Sequence, residues 1–281
     1  MAARVREQPI GIFDSGLGGL TVVQSLRDLL PAEDLIYLGD TARYPYGERS
    51  VDDVRRFAVA IADDLVARGI KLLVVACNSA TVAALDTLRA RFDIPVVGVV
   101  EPALRAAAST SRTRRVLVIG TRLTAASGAY GHAVARLGLE IDAETYACPG
   151  FVELVEEGRA DDAETYARVH QQLAPRLTAR VDTLVLGCTH FPLLARPISE
   201  VAGRHITLVS SADETAFDVR DLLVTAGWQR TRSTADGGSL TVLTTGDPLR
   251  FRTLGAQFLG ERLTDVRQHR IAALDRDQDA A

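Results

Sequence analysis

Apolar runs of strand length alternate with segments of helical periodicity along most of the chain. In residues 51–68, for example, Val54, Phe57 and Ile61 recur at the three- and four-residue spacing of one helix face. The predicted strands are 10–13, 35–38, 72–76, 96–100, 116–119, 183–186 and 206–209; the predicted helices are 51–68, 81–91, 161–177, 214–226 and 248–259. This alternation predicts an α/β fold whose parallel-rich sheets are covered by helices on both faces.

A faint internal repeat lies within this pattern. Two of the predicted strands lead into similar segments, Val75-Ala76-Cys77-Asn78-Ser79 and Leu186-Gly187-Cys188-Thr189-His190, and the loops at Asp14 and Thr121 align ahead of them. The repeat predicts two pseudo-symmetric, doubly wound lobes that face each other across a cleft. We place the first lobe at residues 1–99 plus 211–281 and the second at 100–210. The tail after Leu263 is predicted to be loosely held.

Composition narrows the class of protein. The 281 residues are 47% hydrophobic and 24% charged, and no apolar run approaches the roughly 18 residues that a membrane span requires. A net charge of −4 gives no basic surface for nucleic acid as the primary ligand. Three cysteines without close spacing predict free thiols in a reducing compartment. Residues 1–8 carry no secretory pattern, so we expect a cytoplasmic protein.

The sequence offers little for a cofactor or a metal. Lys71 is the only lysine and hence the only candidate for a pyridoxal phosphate Schiff base, but it precedes a predicted strand. Ligand sites in open α/β sheets lie at the opposite, carboxyl ends of the strands. The spacing of Cys77, Cys188 and His190 is not that of a usual structural zinc site. We therefore predict neither group.

The two duplicated cysteines are the best candidates for chemistry. A thiol becomes a thiolate where a helix N-terminus or a positive neighbour favours the charge, and predicted helices at 79–91 and 192–200 follow Cys77 and Cys188. An isolated cysteine in a strand is usually a small buried apolar residue. The duplication instead favours acid–base or nucleophilic chemistry. Cys148 has no such counterpart and is predicted to be structural.

Two further side chains can support the thiols. Asp14 ends the first predicted strand, where it could relay a proton or bind a substrate ammonium. His190 follows Cys188 by two residues and could orient or activate that thiol.

Five segments together make the chain resemble the glutamate racemases, cofactor-independent enzymes that supply D-glutamate for bacterial peptidoglycan synthesis. The resemblance runs almost end to end. The segments are Phe13-Asp14-Ser15-Gly16-Leu17-Gly18-Gly19, Gly39-Asp40-Thr41-Ala42-Arg43 with Pro45-Tyr46-Gly47, Ala76-Cys77-Asn78, Val99-Val100-Glu101-Pro102, and Leu186-Gly187-Cys188-Thr189-His190-Phe191-Pro192.

The resemblance implies an active site between two lobes in which Cys77 acts on the α-proton of D-glutamate and Cys188 on that of L-glutamate. Asp14 would assist the first thiol and His190 the second, and Glu156 matches a family acid near the second thiol. The implied substrate-binding residues are Asp14, Ser15, Tyr46, Gly47, Asn78, Ser79, Thr121, Thr124, Thr189 and His190.

The chain departs from the family's sequence pattern at two positions, and two alternative functions stay open. Ser79 stands where threonine is usual and keeps the hydroxyl, while Gly150 replaces a larger residue, so we expect a looser cleft edge. The resemblance also implies a homodimer without a cofactor. An aspartate racemase of the same superfamily is the nearest alternative. A non-catalytic binding or regulatory protein is another, since some family members inhibit DNA gyrase.

Overall fold

The structure is a computed structural model that describes residues 2–231, 237–259 and 263–275. The strands in these ranges are β1 (Ile10–Asp14), β2 (Leu35–Gly39), β3 (Leu72–Val75), β4 (Val96–Gly98), β5 (Arg115–Gly120), β6 (Asp142–Ala147), β7 (Thr183–Gly187), β8 (Thr207–Ser210), β9 (Leu240–Thr244) and β10 (Val266–Gln268). The helices are α1 (Ala2–Arg6), α2 (Leu20–Leu29), α3 (Val51–Ala67), α4 (Asn78–Arg91), α5 (Val100–Thr110), α6 (Arg122–Ala126), α7 (Ala129–Leu137), α8 (Phe151–Glu156), α9 (Ala163–Leu173), α10 (Ala195–Ala202), α11 (Ser211–Ala226), α12 (Pro248–Leu259) and α13 (Ala272–Asp275), with 3₁₀ turns at Tyr46–Glu48 and Phe191–Leu194.

The strands form two separate parallel sheets, which confirms the predicted fold class. The first has the order β10-β9-β2-β1-β3-β4 and the second the order β6-β5-β7-β8. Successive residues of β3 pack into different cores on the two faces of the first sheet, Leu72 and Val74 into one and Leu73 into the other. Because both faces are covered, the central strands are continuous apolar runs, and the sequence pattern could identify them.

Strand order locates the site. The segment β2-β1-β3-β4 of the first sheet and the whole second sheet, β6-β5-β7-β8, repeat one pattern in which the direction of winding reverses beside β1 and beside β5. Ligands of open α/β sheets bind at such reversals, beyond the carboxyl ends of the strands. Asp14 and Cys77 stand there in the first sheet, and Thr121 and Cys188 in the second. We call the parts built on the two sheets the first and second lobes; their boundaries at 99/100 and 210/211 stay a prediction.

Two predicted boundaries are wrong for identifiable reasons. The strand predicted at 96–100 ends at Gly98, since Val100 already begins α5. The helix predicted at 192–200 is a 3₁₀ turn followed by α10. Pro197 has no N–H for the carbonyl four residues earlier, so a regular α-helix cannot include Leu193.

The tail is also better anchored than predicted. β10 pairs with β9, Val266 opposite Val242, and Leu263, Ile271 and Leu274 are buried. The prediction of a loosely held segment is therefore wrong for residues 263–275, because a few apolar side chains in a polar stretch suffice to dock it. Residues 276–281 lie outside the described residues. Among the helices described, none combines the length and the apolar character needed to cross a membrane.

Candidate active site

A cavity lies between the two lobes, at the carboxyl ends of their central strands. The space between its lining atoms, including the open mouth, is about 550 Å³. It is lined by Ser15, Tyr44, Pro45, Tyr46, Gly47, Glu48, Cys77, Asn78, Ser79, Thr121, Arg122, Cys148, Pro149, Gly150, Val152, Glu153, Cys188, Thr189 and His190. Both duplicated thiols therefore face one enclosed space.

Cys77 is the N-cap of α4. Its Sγ accepts the N–H of Ala80 at 3.4 Å and lies 3.8 Å from the Ser15 Oγ. Burial, with a smaller effect from the negative charge of Asp14, nevertheless raises the pKa of the Cys77 thiol to about 12. The helix N-terminus favours a thiolate, as the sequence predicts, but desolvation of the buried sulfur outweighs this effect. Cys77 is a thiol at neutral pH.

Asp14 lies beneath the cavity and connects the lobes. It is fully buried, and its carboxylate accepts the Gly16 N–H at 2.9 Å and the Thr189 hydroxyl, from the second lobe, at 3.2 Å. Burial raises the pKa of the Asp14 carboxyl, although the charge of His190 and these hydrogen bonds oppose the rise. The negative neighbour of Cys77 is thus held in place from both lobes.

Cys188 has a different neighbour. Its Sγ lies 3.9 Å from Nδ1 of His190, and Nε2 of the same ring lies 3.0 Å from Oε1 of Glu156. Burial lowers the pKa of His190, but the hydrogen bonds to Cys188 and Glu156 and their negative charges overcome this effect and raise it to about 10. His190 is therefore an imidazolium at neutral pH, held between the sulfur of Cys188 and the carboxyl group of Glu156.

The first turn of α4 supplies polar groups between the thiols. The Ser79 hydroxyl lies 3.0 Å from that of Thr121, which donates to the Thr124 hydroxyl at 3.1 Å. Among the described residues, the backbone N–H groups of Asn78 and Ser79 have no hydrogen-bond partner. A helix N-terminus with free N–H groups favours an anion, such as a carboxylate.

The structure brings the residues predicted for the site together. Most of them line the cavity, and Asp14, Thr124 and Glu156 stand directly behind it, hydrogen-bonded to Thr189, Ser79 and His190. Their catalytic and binding roles stay predictions. The predicted residues that line the cavity are Ser15, Tyr46, Gly47, Cys77, Asn78, Ser79, Thr121, Cys188, Thr189 and His190.

Several residues that line the cavity were not predicted for the site. Cys148, predicted to be structural, is buried and also lines the cavity. Tyr44 was overlooked although it lies between the two parts of a quoted motif, after Arg43 and before Pro45; its ring centroid is 6.3 Å from that of His190. Arg122 stands at the mouth, with its Nε 3.5 Å from Oε1 of Glu48. Apart from its position after Thr121, nothing in the sequence indicates a place in the site. Gly150 has a φ of 84°, a left-handed conformation that favours glycine at this cleft edge.

The candidate cofactor lysine lies elsewhere. Lys71 is buried at the amino end of β3, where its ammonium pairs with Glu33 and donates to the carbonyls of Arg6 and Trp228 at 3.0 Å. It does not line the cavity. Within the described ranges, no group of three or more His, Cys, Asp or Glu side chains is placed to hold a metal ion.

Known proteins share both the sequence and the fold. Residues 10–216 match the family model described as Asp/Glu/Hydantoin racemase. The chain is 49% identical to the glutamate racemase of Beutenbergia cavernae over 92% of each protein. Glutamate racemase from Thermus thermophilus, solved with β-chloro-D-alanine, superimposes with a TM-score of 0.86 at 42% identity and covers 96% of this chain and 99% of its own. The enzyme from Francisella tularensis, solved with D-glutamate, gives 0.88 at 29% identity over 95% and 99%.

Proposed function

The chain belongs to the Asp/Glu/hydantoin racemase family, and from this premise we propose that it interconverts L- and D-glutamate by transferring the α-proton between two thiols. The observation that carries the proposal is the pair Cys77 and Cys188, which reach one cavity from equivalent strand ends of the two lobes. Relatives named glutamate racemase, at up to 49% identity over 92% of the chain, support glutamate as the substrate.

The reaction exchanges one proton for another at Cα. With L-glutamate bound, the Cys188 thiolate removes the α-proton, leaving an electron pair on Cα. The Cys77 thiol then donates its proton to the opposite face, which forms D-glutamate, a Cys188 thiol and a Cys77 thiolate. Repeating the steps in reverse converts D- to L-glutamate. A Cys77 thiol and an imidazolium beside Cys188 suit the L-glutamate direction.

The chain must also stabilise the charge that develops when the proton leaves. An α-proton beside a carboxylate is a very weak acid, and each preorganised donor removed from such a site typically costs about 3–4 kcal/mol. The N–H groups of Asn78 and Ser79 and the hydroxyl of Ser15 are such donors at the cavity wall. We assign them to the substrate carboxylates.

Asp14 and His190 act on the thiols as well. Near Cys77, the Asp14 carboxylate accepts a proton or pairs with the substrate ammonium. His190, which is fixed by Glu156, balances the negative charge of the Cys188 thiolate. The remaining predicted contacts, from Tyr46, Gly47, Thr121 and Thr124, complete the substrate envelope.

An assay with two substrates tests the proposal. The protein is incubated with L-glutamate or L-aspartate, without pyridoxal phosphate, and circular dichroism follows the loss of optical activity. We expect the signal to decay to zero with glutamate. Decay with aspartate alone would indicate an aspartate racemase. No decay with either substrate would contradict the proposal and favour a non-catalytic binding or regulatory protein.

The same proposal covers the cellular role. The product D-glutamate would enter peptidoglycan, the enzyme would act in the cytoplasm, and it would be a homodimer. Expression of the chain in a bacterium that requires added D-glutamate should remove the requirement, and light scattering should give twice the mass of 30.2 kDa. Inhibition of DNA gyrase gains no support from the described residues, and we leave it outside the proposal.

A further inference from the structure

Tyr130 places a hydroxyl group between the two thiol segments. The residue is on α7 of the second lobe and is fully buried, with its ring packed among Val100, Val118 and Val185. Its hydroxyl accepts a hydrogen bond of 3.1 Å from the side-chain amide of Asn78, the residue after Cys77. A side chain anchored in the core of one lobe thus holds a residue of the other.

The same hydroxyl approaches the second thiol segment. A Cβ built on Gly187, the residue before Cys188, would lie 2.9 Å from the Tyr130 hydroxyl oxygen. It would also lie 2.8 Å from the Ile119 carbonyl oxygen. Glycine at 187 lets the tyrosine pass close to the backbone of β7. Tyr130 therefore lies against the chain next to both thiols.

In the described part of the chain, one polar atom of the Asn78 side chain has no hydrogen-bond partner. The residue is 2% exposed and lines the cavity, and its Oδ1 is buried without a hydrogen-bond partner among the described residues. Leaving a buried polar atom unpaired costs free energy, so this atom is expected to gain a partner when the cavity is filled. An asparagine side chain turns easily about its terminal bond unless its other end is held. The Tyr130 hydroxyl provides that hold.

We propose that Tyr130 is a positioning residue that orients the Asn78 side chain toward the substrate. The inference rests on the proposed function, since it concerns the same site. Tyr130 touches no reacting atom; it acts through Asn78 by fixing the amide before substrate binds. Its effect is consequently on substrate binding, and removing its hydroxyl should raise KM more than it lowers kcat.

Racemisation kinetics of Tyr130→Phe, Asn78→Ala and the double variant test this inference. The phenylalanine keeps the buried ring and removes only the hydroxyl. We expect Tyr130→Phe to raise KM for glutamate about tenfold, the value of one ordinary hydrogen bond at its upper range, with kcat within about threefold. Because Tyr130 acts through Asn78, the double variant should match Asn78→Ala within about twofold. Tyr166→Phe, a half-buried tyrosine on α9, is the matched control and should leave both constants unchanged.

The kinetic results distinguish a failure of this inference from a failure of the proposed function. An unchanged KM in Tyr130→Phe, or losses that multiply in the double variant, would overturn the inference. A fall in apparent kcat at constant KM would indicate a partly unfolded protein and also contradict a positioning role. If the wild type itself fails to racemise glutamate, the proposed function is wrong instead. The ¹⁵N side-chain amide signal of Asn78 then still tests the contact, because it should shift in Tyr130→Phe and stay in place in Tyr166→Phe.

Discussion

The two thiols occupy equivalent places in the two lobes but have opposite electrostatic surroundings. Cys77 and Cys188 each follow the third strand of the repeated pattern. The close charged neighbour of Cys77 is the carboxylate Asp14, whereas that of Cys188 is the imidazolium His190. Topology thus sets the positions of the two groups, and their charges depend on side chains that the repeat does not duplicate.

This difference suits the two thiols to different tasks in the proposed reaction. A buried thiol with a pKa raised to about 12 holds its proton and is ready to donate it. The Cys188 sulfur instead lies 3.9 Å from the cationic ring of His190, and in the proposed reaction it removes the α-proton of L-glutamate. A racemase needs one group in each state at the start of every turnover, so unequal surroundings serve a symmetric reaction.

The largest effect is expected from removing either thiol. Cys77→Ser and Cys188→Ser should each lower kcat/KM by about 10³-fold or more, since a positioned acid or base contributes roughly 10²–10⁴-fold and both are needed in each turnover. Cys148→Ser, at a thiol that lines the same cavity, should stay within about threefold. Equal losses from all three substitutions, measured by circular dichroism, would show that the cysteines serve the structure and not the chemistry.

The supporting groups should show the asymmetry directly. His190→Asn and Asp14→Asn should each lower kcat/KM by about 10²-fold, the first by slowing proton transfer at Cys188 and the second at Cys77. The slowed step then limits the rate. The primary isotope effect on kcat/KM should therefore be larger with α-deuterated L-glutamate in His190→Asn and larger with α-deuterated D-glutamate in Asp14→Asn. The same preference in both variants would contradict the division of tasks.

Close packing between the lobes gives a smaller effect. A Cβ at Gly18 would lie 2.3 Å from the Thr189 Oγ1 and 2.4 Å from the His190 Nδ1. Gly18→Ala should displace these side chains and lower kcat about tenfold, less than the roughly 10²-fold that a 1 Å misplacement of a catalytic group can cost. Gly131→Ala, on α7 with nothing within 4 Å of the added methyl, is the control. It should keep full activity and stabilise the protein by about 0.5–1 kcal/mol; equal activity of the two variants would argue against the packing.

The smallest expected effect of the different surroundings of the two thiols is on the pH dependence of stability. The pKa of His190 is raised from its ordinary value of 6.5 to about 10, so folding favours the protonated ring. Its stabilisation is complete below about pH 6.5 and is lost as the pH rises through 10. Urea unfolding should therefore show the stability gap between wild type and His190→Asn narrowing over this window. Glu156→Gln should shift the loss to lower pH; a gap that does not change with pH would contradict the assignment of a buried imidazolium.

The sequence predicts the framework well where strands are buried on both faces. β1, β3, β5 and β7 are continuous apolar runs, whereas β6, at an edge, alternates polar and half-exposed residues and gave no clear pattern. β9 and β10 were missed as well. β9 pairs with the sequence-distant β2, and β10 is a strand of only 3 residues at the edge beside β9, so the sequence pattern alone does not reveal them.

The site could be predicted to the level of residues but not of charge states. Duplication and family motifs brought out Cys77, Cys188, Asp14 and His190. The pKa of Cys77 depends mainly on burial, and the depth of burial, unlike a helix N-terminus, is not visible in a sequence. Tyr130 had no signal, since its role depends on a contact with Asn78 that joins two lobes.

Isotope transfer in the first turnovers tests the two-thiol account most directly. L-glutamate is converted in heavy water, and the deuterium at Cα is measured by mass spectrometry in the separated enantiomers before equilibrium is approached. Because the returning proton comes from the second thiol, which has exchanged with solvent, each D-glutamate should carry deuterium while the remaining L-glutamate keeps protium. D-glutamate that retains the protium of its substrate would show that one group both removes and returns the proton, and would contradict the account.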